Sequence, residues 1–265
     1  MRFALIDDKL VEAAPGLQGL CSGCLQPVIA KCGIQRIHHW SHRTSKTCES
    51  WWEPESQWHR AWKSNFPVEW QEKVLPDQRT GEKHIADVRT SHGLVIEFQH
   101  SHIAPQERAM RENFYQTMVW VVDGTRLKRD YVRFQNAVKD FRATDMQNIF
   151  LVEFPDECFS SAWLKSSEPV IFDFRGIGSV AELENKSHGL YCLFPNQSIL
   201  GAYVARISHK AFINTTISGA WLLHNRRFMD KLDQKRRDVQ VEKKRQEDQM
   251  IAEMFFRPKQ HRKRW

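Results

Sequence analysis

At 265 residues, with 41% hydrophobic and 27% charged side chains, the chain can bury a real core, which excludes a disordered or fibrous protein. Its net charge of +7 favours an anionic partner, nucleic acid ahead of membrane. No apolar run approaches a membrane span, and the opening Met1-Arg2-Phe3-Ala4-Leu5-Ile6-Asp7-Asp8 is too short and acidic for a signal peptide, so a cytoplasmic protein is expected.

Residues 1–50 read as a small metal-binding element. The six cysteines are unevenly spread, with Cys21, Cys24, Cys32 and Cys48 close together, which suits a local metal site better than a disulfide framework. Cys21-Ser22-Gly23-Cys24 is followed by His39-Trp40-Ser41-His42 and then Cys48. Small zinc sites use this spacing, with thiolate and imidazole in a tetrahedron. Cys21, Cys24, His42 and Cys48 are therefore the expected ligands of a structural Zn²⁺, with His39 the alternate. Cys32, Cys158 and Cys192 are expected to be packed side chains.

Residues 51–148 carry a regular pattern. Glu55, Trp58, His59 and Trp62 recur at i, i+3, i+4 and i+7, one face of a helix spanning 51–66. Val68-Glu69-Trp70 reads as a first strand. Two runs rich in β-formers then flank Thr90-Ser91-His92-Gly93, the signature of a hairpin with a three-residue loop and Gly93 in its left-handed position. Thr90 then faces Leu94, and counting outward sets Asp87 opposite Glu97. Cross-strand neighbours have Cβ atoms about 4.5–5.5 Å apart, so two carboxylates there could share a divalent cation. The period of two puts Gln99 on the face of Glu97, with Ile96 and Phe98 behind. A helix follows from about Gln106 to Met118, with Arg108 and Arg111 on one face, and then the apolar strand Val119–Val122. Strand, helix and strand of this length imply a right-handed parallel crossover. Leu127, Tyr131, Phe134, Val138 and Phe141 mark a further helix, with Lys128, Arg129 and Arg133 outside.

Residues 149–220 hold strand-like runs at 149–154, 169–174, 190–194 and 202–207, read as a β-rich accessory layer. From Trp221 the chain is a basic helical tail holding 14 Lys and Arg against 7 Asp and Glu, the whole net excess. Arg236, Arg237, Lys243 and Lys244 are its candidates for nucleic-acid contact. A helix this polar projects into solvent or waits for a partner, so self-association or a protein partner is the other reading.

Glu55-Ser56-x-x-His59-x-x-x-Lys63, Ala86-Asp87-Val88, Ile96-Glu97-Phe98-Gln99-x-Ser101-x-Ile103, Arg111-x-x-x-Tyr115 and the Trp120-Val121-Val122 strand together resemble the competence protein CoiA-like family, part of the PD-(D/E)XK nuclease superfamily. The resemblance covers roughly residues 20–125. It implies an α/β (α+β) fold with an α-β-β-β-α-β nuclease core behind an N-terminal zinc-binding element. It also implies Mg²⁺- or Mn²⁺-dependent hydrolysis of nucleic acid, DNA favoured over RNA. Asp87 and Glu97 would be metal ligands, with the Phe98 carbonyl a third and Glu55 an outer ligand or water orienter. Gln99 stands where most of the superfamily has lysine, a departure, since an amide supplies neither charge nor acid. His59 and Arg111 are candidates for orienting or phosphate contact, with Arg108 beside them. The competing reading is a non-catalytic zinc-containing nucleic-acid-binding protein whose hairpin acids are vestigial.

Overall fold

The computed structural model describes residues 1–43, 51, 54–77, 80–174, 189–195 and 201–255. It divides into two units, Met1–Ser218 and Gly219–Trp265. The first unit begins with a five-stranded antiparallel sheet: β1 (Phe3–Ile6), β2 (Lys9–Glu12), β3 (Gln18–Leu20), β4 (Pro27–Lys31) and β5 (His39–His42), in the order β2-β1-β3-β4-β5. Asp7 and Asp8, both left-handed at φ 49° and 60°, form the tight β1–β2 turn whose twist matches the flanking strands. Ala4, Ala13, Cys21, Val28 and Trp40 fill the small core, and the Trp40 indole donates to the Val11 carbonyl at 2.9 Å. The sequence signalled the cysteines but not this sheet.

Next comes α1 (Gln57–Lys63), shorter than the sequence pattern implied. The Ser56 hydroxyl caps it by accepting from the His59 amide at 3.3 Å, and the Ser56 amide donates back to His59 Nδ1 at 3.3 Å. His59 thus fills the place usually taken by Glu in a capping box, and Glu55 falls just outside the helix. Val68–Trp70, expected as a strand, is instead one 3₁₀ turn entered from Pro67, and the strand begins one residue later. Then follow β6 (Gln71–Pro76), β7 (Lys83–Arg89), β8 (Val95–Gln99), α2 (Pro105–Tyr115), β9 (Met118–Asp123) and α3 (Lys128–Ala137). The order α-β-β-β-α-β over α1 to β9 is the one read from the sequence.

β10 (Arg142–Ala143), β11 (Ile149–Val152), β12 (Val170–Asp173), β13 (Leu190–Leu193) and β14 (Ala202–Ile207) follow. The expectation of a separate accessory layer over residues 149–220 is corrected: these strands extend the same sheet, in the order β10-β11-β14-β13-β12-β9-β8-β7-β6. β12 pairs parallel with β9, which pairs parallel with β8, and the remaining pairs are antiparallel. Val170–Asp173 is buried throughout, as a strand between two others must be. α4 (His209–Ile217), capped by Ser208, was not anticipated.

Two buried carboxylates tie helices to the sheet. Asp173 accepts from the indoles of Trp58 at 3.0 Å and Trp62 at 2.9 Å, which holds α1 against β12. Glu112 on α2 takes Arg108, the Trp120 indole and the hydroxyls of Ser166 and Ser167.

The described part of the second unit forms one helix, α5 (Ala220–Phe255), with every residue from Arg237 to Phe255 exposed. Among the described residues, no helix is long and apolar enough to cross a membrane.

Candidate functional site

The hairpin forms in the expected register. Val88 pairs with Ile96 and Arg89 with Val95, so Asp87 faces Glu97. Gly93 is left-handed at φ 89°, and its amide donates to the Thr90 carbonyl at 3.0 Å. Beyond Val88 and Ile96 the backbone ladder gives way to side chains. The Asp87 amide donates to Glu97 Oε1 at 3.3 Å, and the Phe98 amide donates to Asp87 Oδ2 at 2.9 Å. The two acids thus sit in a local break between strands and answer the amides that the break exposes.

β8 alternates as its period requires. Phe98 stacks on Trp62 and meets Trp58 edge-on, both from α1, while Glu97 turns the other way to Arg111 of α2 at 3.0 Å. Glu97 is 4% exposed, and its carboxyl is pushed up to about 8. Burial is the largest cause and the Asp87 charge the second; the Arg111 guanidinium opposes both without reversing them.

A cation lies on the far side of Asp87. The Lys63 ammonium, 3% exposed, stands 2.6 Å from Glu55, 3.0 Å from Glu72 and 3.7 Å from Asp87. Burial disfavours its charge, but the three carboxylates win and its pKa is raised. Burial would raise the Glu55 carboxyl, and Lys63 overcomes this to hold it below the ordinary range. Glu72 is likewise held down, to about 2, against its own burial: Lys63 and the N-terminal ammonium lower it, as do the amides of Arg2 at 2.7 Å and Phe3 at 3.1 Å. Those amides lie at the entry to β1, so the N-terminal sheet is fastened beside the hairpin acids. Glu72 reaches Lys63 from a left-handed conformation at φ 48°. Lys63 stood in the quoted motif, yet neither its role nor that of Glu72 was read from the sequence, because the contact depends on how α1 lies across β6 and β7.

The other expected residues fall as follows. His59 Nε2 lies 2.7 Å from the Phe98 carbonyl, so the oxygen expected as a third metal ligand is held by the imidazole. Gln99, 3% exposed, donates to the Ser101 hydroxyl at 3.1 Å. Arg111 is buried against Glu97 and Glu107, so it belongs to the acid pair and not to an outer phosphate-contact surface. Arg108 is a correction: it is 4% exposed and its guanidinium is committed to Glu112 at 2.7 and 2.9 Å, closed off from an outside phosphate. In the tail, Arg236 pairs with Asp233 and Lys243 with Glu247, while Arg237 donates to Gln234.

At the N-terminal sheet, donor atoms of Cys21, Cys24 and His42 lie within 4.8 Å of one another, with Cys24 Sγ 3.3 Å from His42 Nε2. Burial and the N-terminal ammonium lower the His42 pKa, which favours the neutral imidazole that a metal requires. Two sulfurs and a nitrogen suit zinc. Cys48, the expected fourth ligand, lies outside the described residues. His39 sits three residues from His42 along β5, outside the cluster, with Nδ1 2.9 Å from the Ile37 carbonyl. Cys158 and Cys192 are buried thiols, Cys158 raised to about 11 and Cys192 raised further by burial alone.

A soft-donor cluster on a small sheet thus precedes a mixed sheet whose hairpin carries two facing acids. Residues 17–50 match the family model described as competence protein CoiA, N-terminal domain. The matched stretch holds all four expected zinc ligands, stops short of α1 and the hairpin, and supports the CoiA-like resemblance. No curated protein and no solved structure matches the chain significantly.

Proposed function

We propose that this chain is a CoiA-like nuclease of PD-(D/E)XK type that hydrolyses phosphodiester bonds of nucleic acid, DNA in preference to RNA. The observation that carries the reading is the Asp87–Glu97 pair, two carboxylates set face to face in a strand break. Two adjacent carboxylates with only oxygen donors fit a hard divalent cation such as Mg²⁺ or Mn²⁺, which uses one or two carboxylates and fills the remaining positions with water and phosphate oxygens. When bound, such a cation supplies charge to the attacked phosphate and acidifies a water.

The chain's own residues supply the rest. Asp87 and Glu97 hold the cation, Arg111 fixes the Glu97 carboxylate, and the Phe98 amide fixes Asp87. His59 braces the Phe98 backbone between them. Lys63 brings to Asp87 a positive charge that Gln99 cannot supply. Glu55, 2.6 Å from both Lys63 and Arg60, is held close to this cluster, where it can orient a water. Gln99 donates hydrogen bonds from the same face as Glu97. Cys21, Cys24 and His42 would hold a structural zinc.

The test is cation-dependent cleavage of single- and double-stranded DNA and RNA by wild type, Asp87→Ala and Glu97→Ala. Either substitution should abolish cleavage in Mg²⁺ or Mn²⁺ without unfolding the protein, since Arg111 keeps Glu107 and the Trp51 carbonyl as partners. Gln99→Ala, having lost one positioning contact, should slow about 10²–10³-fold, and Gln99→Lys should stay active. A folded Glu97→Ala protein that cleaves as fast as wild type would assign the acids to structure and leave a binding protein.

A further inference from the structure

We infer that the cleft beyond Gln99 is a subsite for a nucleotide of the substrate strand, gripped through its phosphate. It rests on the nuclease reading for the identity of the strand. A cavity of about 510 Å³ opens where β8, β9 and β12 end, within the roughly 300–1,000 Å³ of ligand clefts. Gln99 lines it, so the cavity begins two residues from Glu97 along one strand. His100 and His102 line it, together with Arg126, Arg129 and Arg133. Arg129 and Arg133, at i and i+4, share one face of α3, and Arg126 lies in the bend just before it.

The charges do not cancel. Asp123 is taken by His100 at 2.8 Å and by the Thr125 hydroxyl at 2.7 Å. Asp130 stands 3.5 Å from Arg133 and 3.7 Å from Arg129, a single carboxylate between two guanidiniums. Arg126 is exposed and has no carboxylate partner among the described residues, and Arg129 has 84% of its side chain exposed. Guanidiniums present forked donors that match phosphate oxygens, so the three arginines offer a phosphate more than the cleft's own acids can use. Phe159 and Phe174 contribute apolar surface deeper in the same cavity, against which a sugar or base edge can rest. A strand held here leads to Gln99 and the acid pair.

The experiment uses the full chain and thymidine 3′,5′-bisphosphate, titrated calorimetrically, alongside cleavage kinetics on single-stranded DNA. The joint variant Arg126→Glu with Arg129→Glu should bind the bisphosphate at least about tenfold more weakly and raise KM by a similar factor with kcat little changed. Lys128→Glu is the control, since Lys128 is exposed on the same turn but does not line the cleft; it should leave both values unchanged. Equal binding by wild type and the double variant, equal loss in Lys128→Glu, or no binding to wild type would overturn the subsite. The nuclease reading fails separately: a wild type that binds the bisphosphate through these arginines yet cleaves nothing in Mn²⁺ keeps the subsite and loses the enzyme.

Discussion

The acid pair predicts that binding a divalent cation expels a proton. In the metal-free protein Glu97 is raised to about 8, first by burial and then by the charge of Asp87 across the hairpin. A cation needs the carboxylate, and at pH 7 a group with that pKa is ionised in only about one molecule in ten, so the apparent affinity is about tenfold below its high-pH limit. It should improve about tenfold per pH unit up to pH 8 and then level off. Close to one proton should be released per cation at pH 7, and fewer as pH rises past the raised pKa. The same shift has a sign for stability. A carboxyl whose folded pKa is raised costs nothing while both states are protonated. The cost grows as pH rises from its unfolded value towards about 8, because the unfolded chain ionises first. The metal-free protein should therefore lose stability over that window, and a bound cation should restore it.

Calorimetric titration of Mn²⁺ at pH 7, in two buffers of different ionisation enthalpy, counts the proton directly. Wild type should release nearly one. Glu97→Gln, which has no proton to give, should bind weakly and release none. Affinity that stays flat from pH 6 to 8.5, with no proton released and yet lost in Glu97→Gln, would refute the reasoning. Glu97 would then already be ionised in the free protein, held as a carboxylate by Arg111.

Lys63→Met should destabilise the fold by about 3–5 kcal/mol, because it leaves Glu55, Glu72 and Asp87 without their shared buried cation; urea unfolding with an unchanged midpoint would count against that network. Elemental analysis of the purified protein should find about one zinc per chain, lost together with several degrees of melting temperature in Cys21→Ser but retained in His39→Ala. The exposed tail lysines should touch nucleic acid through phosphate alone, so Lys243→Gln with Lys244→Gln should lower the slope of log affinity against log salt by up to about 2. An unchanged slope would assign α5 to solubility or to a protein partner.

The parts of the fold that rest on local rules were legible. The hairpin register follows from one glycine and the period of two, so Asp87 against Glu97 could be counted out. The all-apolar run Val119–Val122 read as a buried strand, and 169–174 read as a strand. That the second run lies next to the first in one sheet could not be read, since pairing of β12 with β9 spans some fifty residues of sequence and no local signal fixes it. The end of the helix pattern misled at Glu55, because a helix stripe says which residues share a face and not where the cap falls. Ser56 with His59 is a capping box in which His replaces Glu, a form the usual signature passes over.

Arg108 and Arg111 show why charge is the hardest property to read from a chain. Both lie on one face of α2, and a basic face on a basic protein suggests phosphate contact. Each is buried because a carboxylate waits for it, Glu112 on the same helix and Glu97 on the preceding strand. Glu112 at i+4 from Arg108 was visible in the sequence; the four further donors that pin its carboxylate, from Trp120, Ser166 and Ser167, were not. A buried ion pair survives only when its remaining hydrogen bonds are met, so the decision between surface and core was made by Ser166 and Ser167, far along the chain. Arg126 carries the same charge with no carboxylate partner among the described residues, and Arg129 has only Asp130, shared with Arg133, at 3.7 Å. Their guanidiniums stay open to solvent beside the cleft, and a phosphate can reach them.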